Sequence, residues 1–147
     1  MKVTNLKLLG TSDKDLRVIA AHLQDSIVSL KDIANLKKNR IFLIQLNRFM
    51  WEDVEKGVFR KSKRIRTVLK FDNVISVLSK NINIKDNKIF LEFLTIESTL
   101  LPDKSYEIKL IFSGNIIIRI NVEVIDVTLD DQGSPWESKT KPKHNFL

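Results

Sequence analysis

The sequence predicts an α+β domain: one N-terminal helix packed against a bent, mostly antiparallel sheet of about seven or eight strands, arranged as a partly open barrel or sandwich. Three observations lead there. Only residues 12–25 (SDKDLRVIAAHLQD) carry a helical rhythm; the rest of the chain alternates with a period near two between turn residues; and the longest apolar run changes phase partway, which a straight strand cannot do.

In the helical segment Leu16, Ile19, Ala20 and Leu23 fall at i, i+3, i+4 and i+7 and form one apolar stripe, while Arg17, Gln24 and Asp25 point elsewhere. Ser12 is a suitable N-cap, Asp15 stands three residues on in a capping-box arrangement, and acidic residues in the first turn suit the positive end of the helix dipole. A first strand is expected over 2–9, ended by Gly10-Thr11, and a short β-branched strand over 26–33. From 40 to 49, Phe42, Ile44 and Leu46 share one face while Ile41 and Leu43 fill the other. This strand therefore belongs near the middle of the sheet, with Gln45 and Asn47 turned to water or a polar site.

Residues 50–63 read as a long loop. Residues 64–71 set Thr67, Leu69 and Phe71 against Arg66, Val68 and Lys70; Asp72-Asn73 then interrupts before an apolar run over 74–78. After a turn at 81–87 come a strand over 88–96, a loop over 98–105, and the cleanest alternation in the chain, with Tyr106, Ile108, Leu110 and Phe112 inward. Ser113-Gly114-Asn115 has hairpin chemistry. On the return Ile116, Ile118, Ile120, Val122 and Val124 share a face, after which Ile125, Val127 and Leu129 take over. A straight strand of that length would overrun the domain, so the slip marks a bulge or bend. The domain is expected to span 1–132. Residues 133–147, with Pro135 and Pro142, are expected to form an irregular tail packed on the surface and pinned by Trp136.

At 147 residues, with 43% hydrophobic and 29% charged, the chain has the length and balance of one globular domain rather than a disordered segment. It has no cysteine, which removes disulfides, thiolate metal sites and cysteine nucleophiles together and fits a cytoplasmic setting. The start, MKVTNLKLLG, lacks the apolar core of a signal peptide, and no run nears the roughly 18 apolar residues of a membrane span. The net charge of +7 admits nucleic acid as a partner, but the richness in Ile, Asn and Lys also fits compositional drift on a solvated surface.

Several patches taken in order resemble an uncharacterised bacterial family of similar length, a domain of unknown function. They are Ala21-His22-Leu23-Gln24-Asp25 on the helix, Leu46-Asn47-Arg48-Phe49-Met50-Trp51-Glu52 at a strand end, the basic run entering Phe71-Asp72-Asn73-Val74, and Pro135-Trp136 with Lys141-Pro142. The resemblance spans nearly the whole chain and implies a bacterial, intracellular domain. It brings no activity, cofactor or catalytic residue.

Among candidates for chemistry, His22 lies one turn from Asp25 and could act as an acid-base residue oriented by that carboxylate; the structural alternative is a ring packed at the stripe's border and hydrogen-bonded to the next element. His144, in the tail, is a poor catalyst. Two isolated histidines, without HExxH or a carboxylate cluster at ligand spacing, give no metal site, and no glycine pattern supports nucleotide cradling, so no cofactor is expected. Ser26, Ser29 and Ser113 lack a GxSxG context.

The basic run is the most distinctive feature. Arg60, Lys61, Lys63, Arg64, Arg66 and Lys70 fall within eleven residues with no acid among them, near Phe59 and Trp51. On a strand Arg64, Arg66 and Lys70 share a face, a ridge that could follow a phosphate backbone or anionic lipid with an aromatic for stacking. The structural alternative is a solvated edge strand guarded by charge. Asn47, Arg48 and Trp51 make a second polar-aromatic patch, which a strand end capped by an indole also explains. Together these features suggest a non-enzymatic binding or scaffolding domain of unknown partner. Its alternatives are RNA or single-strand binding through 60–70, an acidic protein partner, and, third, an enzyme built on His22.

Overall fold

The computed structural model describes residues 5–51, 63–82 and 89–137. Among these residues there are one α-helix, α1 (Asp13–Leu23), and ten strands: β1 (Lys7–Gly10), β2 (Ile27–Ser29), β3 (Ile33–Leu36), β4 (Ile41–Phe49), β5 (Lys63–Phe71), β6 (Val74–Lys80), β7 (Phe90–Leu100), β8 (Tyr106–Phe112), β9 (Ile116–Val122) and β10 (Val127–Glu137). The strands form one open sheet in the order β1-β10-β5-β4-β2-β7-β8-β9-β6, with β3 also on β4. Every pairing among them is antiparallel. The domain is α+β as expected, but with ten strands rather than seven or eight.

Two segments account for the difference. The single strand expected over 26–33 is broken by a 3-10 turn at Leu30–Asp32 into β2 and β3, which lie along the same edge of β4. The long run after Asn115 does not bulge and continue; it stops at Val122, turns with Ile125 buried, and resumes as β10 between β1 and β5. The phase slip therefore marks the chain leaving one end of the sheet for the other.

The helix starts as its cap signals require. Ser12 is extended, and its hydroxyl accepts from Asp15 N–H at 3.2 Å. The Asp15 carboxylate reaches back to Thr11 N–H at 2.9 Å, and that donor, with the hydroxyls of Ser12 and Thr11, holds its pKa below the ordinary value. Leu16, Ile19, Ala20 and Leu23 are buried against β1, β4 and β7, the stripe predicted from spacing. Gly10 lets the end of β1 come this close, since a Cβ there would sit 3.1 Å from Ile19 Cδ1.

The sheet curls so that one core holds residues from both halves: Phe42, Ile44, Leu46, Leu69 and Phe71 on one side, Phe93, Leu110, Phe112, Ile118 and Ile120 on the other. Asn73, at φ 57, makes the corner between β5 and β6 that carries the chain from one half to the other. β10 continues past a register shift and Gly133 (φ 71) to Glu137, so the sheet persists beyond the point where an irregular tail was expected to begin; 138–147 lie outside the described residues.

Because Leu23 is fully enclosed, Leu23→Ala should lower unfolding free energy by about 2–5 kcal/mol, whereas Val18→Ala on the exposed side should change it by less than about 0.5 kcal/mol. Urea unfolding of both variants measures this; equal midpoints would mean the helix does not cover the core.

Candidate functional site

β4 presents its even residues to the core, so the alternation that buries Phe42, Ile44 and Leu46 also buries Arg48, the largest fully enclosed side chain among the described residues. Its guanidinium grips Asp131 of β10 with two bonds, Nε to Oδ1 at 2.9 Å and Nη2 to Oδ2 at 2.7 Å, and donates from Nη1 to Phe49 O at 3.0 Å. Asp131 also accepts from Leu6 N–H at 2.9 Å and stands opposite Thr67 of the intervening strand. Burial pushes the Asp131 carboxyl up, and the Arg48 and Leu6 donors outweigh it, leaving its pKa below the ordinary carboxylate value. Arg48, read from the sequence as part of a polar-aromatic patch with Asn47 and Trp51, is thus fully buried and paired with Asp131.

On the opposite side of the same strands Phe49 is buried, covered by its neighbours, while Arg66 and Trp136 reach solvent. Register places Phe49 of β4, Arg64 of β5 and Trp136 of β10 in one row, and Asn47, Arg66 and Gln132 in the next. Arg64 lies flat over the Phe49 ring, 3.6 Å from its centroid, and donates to Asn47 O at 2.8 Å. Burial lowers its pKa, and the charge of Asp25 opposes that shift. Phe49 is flanked in turn by Trp51, ring centroids 5.7 Å apart, and the Trp51 indole donates to Gln24 O at the end of α1. Trp136 remains 41% exposed.

Asp25, Asn47, Trp51 and Arg64 therefore meet where the helix ends and β4 and β5 adjoin, which spacing alone did not show. Asp25 is held at φ 64 with its N–H bonded to Phe93 O. His22 is half-buried, and its Nδ1 makes no hydrogen bond among the described residues, so that nitrogen is neither oriented by a carboxylate nor tied to a neighbouring element.

Arg64, Arg66 and Lys70 share one face of β5, but they are not equally exposed. Arg60 and Lys61 lie outside the described residues, Lys63 is opposite Glu137 at the strand end, Arg64 is 9% exposed, and Lys70 sits 3.7 Å from Asp72. Arg66 projects into solvent. Nor is β5 an edge strand: β4 and β10 flank it, so its charges do not serve to guard an open edge. Sequence reading missed Asp131 and the partnership of Trp136 with Arg64. The first had a signal, since Val127, Leu129 and Asp131 share a phase. The second depends on pairing between distant segments.

Fold and surface define a small α+β protein with a curled antiparallel sheet and an aromatic-cation row of which Trp136 is open to solvent. The chain belongs to the family described as Protein of unknown function (DUF2948), whose profile matches residues 6–144. Neither the curated proteins nor the solved structures gave a match. No helix among the described residues is long and apolar enough to cross a membrane.

Removing one partner of the buried pair strands the other. Asp131→Asn should cost about 3–5 kcal/mol, while replacing both with apolar residues should recover much of that loss. Since the folded pKa of Asp131 is depressed, its stabilisation is complete above about pH 4, the unfolded value, and is lost as pH falls through the lower folded value. The gap in urea midpoint between the native chain and Asp131→Asn should be full near pH 7 and narrow as pH falls below about 4; a gap that stays constant would remove the charge pair as the cause.

Proposed function

We propose that this protein is a non-enzymatic binding domain whose working surface is the outer side of β4, β5 and β10, and that the surface suits a single-stranded nucleic acid. The observation that carries the reading is the row of Phe49, Arg64 and Trp136 beside the row of Asn47, Arg66 and Gln132. An exposed indole offers a face on which a base can stack whatever its identity. The exposed Arg66 supplies charge for phosphate, and the amides of Asn47 and Gln132 on either side supply both donors and acceptors.

The surface is pre-organised. Arg64 is already fixed by Phe49 and Asn47 O, and the Arg48–Asp131 pair holds the underside of the same strands. Its charge is moderate, because Lys70 has Asp72 beside it and Asp130 lies on the same face. Stacking therefore carries more of the reading than a broad positive field. A cytoplasmic location suits such a ligand and forms part of the proposal.

Fluorescence anisotropy with mixed-sequence RNA and single-stranded DNA tests it. Affinity should fall with added salt, Arg66→Glu should weaken it and flatten the salt dependence, and Trp136→Ala should cost about 1–3 kcal/mol. Both positions are exposed, so the fold should persist. No binding at low salt, or binding indifferent to both substitutions, overturns the reading.

A further inference from the structure

A second feature, on the opposite edge of β4 from β5, is independent of that surface. Among the described residues β3 pairs only with β4, and β6 only with β9. The start of β6 is pinned to the turn between β3 and β4, where Val74 N–H donates to Arg40 O at 3.0 Å, and Arg40 Nη2 also meets Glu123 Oε1, just past β9, at 2.5 Å. Between the unpaired edges of β3 and β6 lies a cleft of about 380 Å³. Leu30, Ile33, Phe42, Val77, Ile82 and Ile118 form its apolar lining, and Asn35 and Ser79 its polar points. Phe42 and Ile118 belong to the core, so the cleft opens the interior of the sheet to solvent.

A protein interior is ordinarily packed without such gaps, and sealing this one would need only one more strand pairing. The cleft instead combines apolar walls, few polar groups and a volume toward the lower end of the roughly 300–1,000 Å³ range of small-molecule sites. That suits one acyl chain rather than a two-chain lipid. The end group is indicated by the adjoining concavity, which shares Asn35 and Val77 with the cleft and is bordered by Lys37, Arg40 and Glu123. Arg40 is neutralised by Glu123, whereas Lys37 is exposed and makes no ion pair among the described residues, with Lys38 exposed beside it. The mouth therefore carries a positive charge available to an anion.

We infer that the cleft between β3 and β6 binds a free single-chain fatty carboxylate, its chain between Ile33 and Val77 and its carboxylate at Lys37. The apolar walls reward each methylene, and Lys37 selects the charged end.

Titration of the full chain with a dansylated undecanoic acid, followed by displacement with octanoate, decanoate, dodecanoate and methyl dodecanoate, tests this. Emission should rise on binding, and each added methylene should tighten displacement up to about fourfold until the cleft is full. The methyl ester should compete roughly tenfold less well than dodecanoate, and Lys37→Glu should erase that preference. Ser79→Trp and Asn35→Trp, at exposed positions on the two walls, should each abolish probe binding. Thermal melts report whether those variants fold; if either does not, Lys37→Glu on its exposed turn carries the test. Absence of an emission change, equal competition by acid and ester, or undiminished binding in folded tryptophan variants overturns the inference.

Discussion

The grip of Arg48 on Asp131 is the constraint around which the rest of this protein is arranged. The two residues lie on strands that do not touch, and the bridge spans the strand between them. Asp131 also exchanges hydrogen bonds with Leu6, its carboxylate accepting Leu6 N–H and its own N–H donating to Leu6 O. One carboxylate thus ties together the beginning of the described chain, its last strand and the central hairpin. A buried ion pair of this kind contributes little net stability over apolar packing, and its value lies in specificity. A slip of one residue in β4 or β10 would turn a charge outward and bury a different set of side chains, so the pair fixes register where both strands reach the rim of the core.

That fixed register also determines the outer surface. With Arg48 inward, its neighbours Asn47 and Phe49 lie on the other face of the sheet, where Arg64 covers the buried Phe49 ring, and the pairing brings Arg66, Trp136 and Gln132 alongside. Arg64 contributes more as a lid on Phe49 than as a free cation. Much of the positive charge apparent in the composition lies elsewhere: Lys139, Lys141 and Lys143, and Lys85 and Lys88, fall outside the described residues.

Legibility in the sequence followed how cleanly each segment faces one way. α1 and β8 each bury one side only, so spacing gave their inward residues directly. β3 was hidden because Ala34-Asn35-Leu36 is short and largely exposed, and its pairing rather than its own pattern makes it a strand. The end of β10 was hidden because Gly133-Ser134-Pro135 reads as a turn, where the structure absorbs those residues in a bulge. For Arg48 and Asp131 the alternation was correct to the last position, and only the rule that charges stay outside argued against following it. The aromatic-cation row and the cleft between β3 and β6 had no linear signal at all, since both arise from which distant segments become neighbours.

The order of the strands bears on how the molecule is made. β10, the last of the described strands in chain order, is the partner of both β1, the first of them, and β5 from the middle. Until it arrives, the nascent chain holds β1 without a neighbour among the described strands and β5 with one edge open, so closure awaits β10 and involves contacts of very long sequence separation. During that interval a cell must shield an exposed template for intermolecular pairing, and any interruption of translation upstream of Val127 leaves it exposed for good.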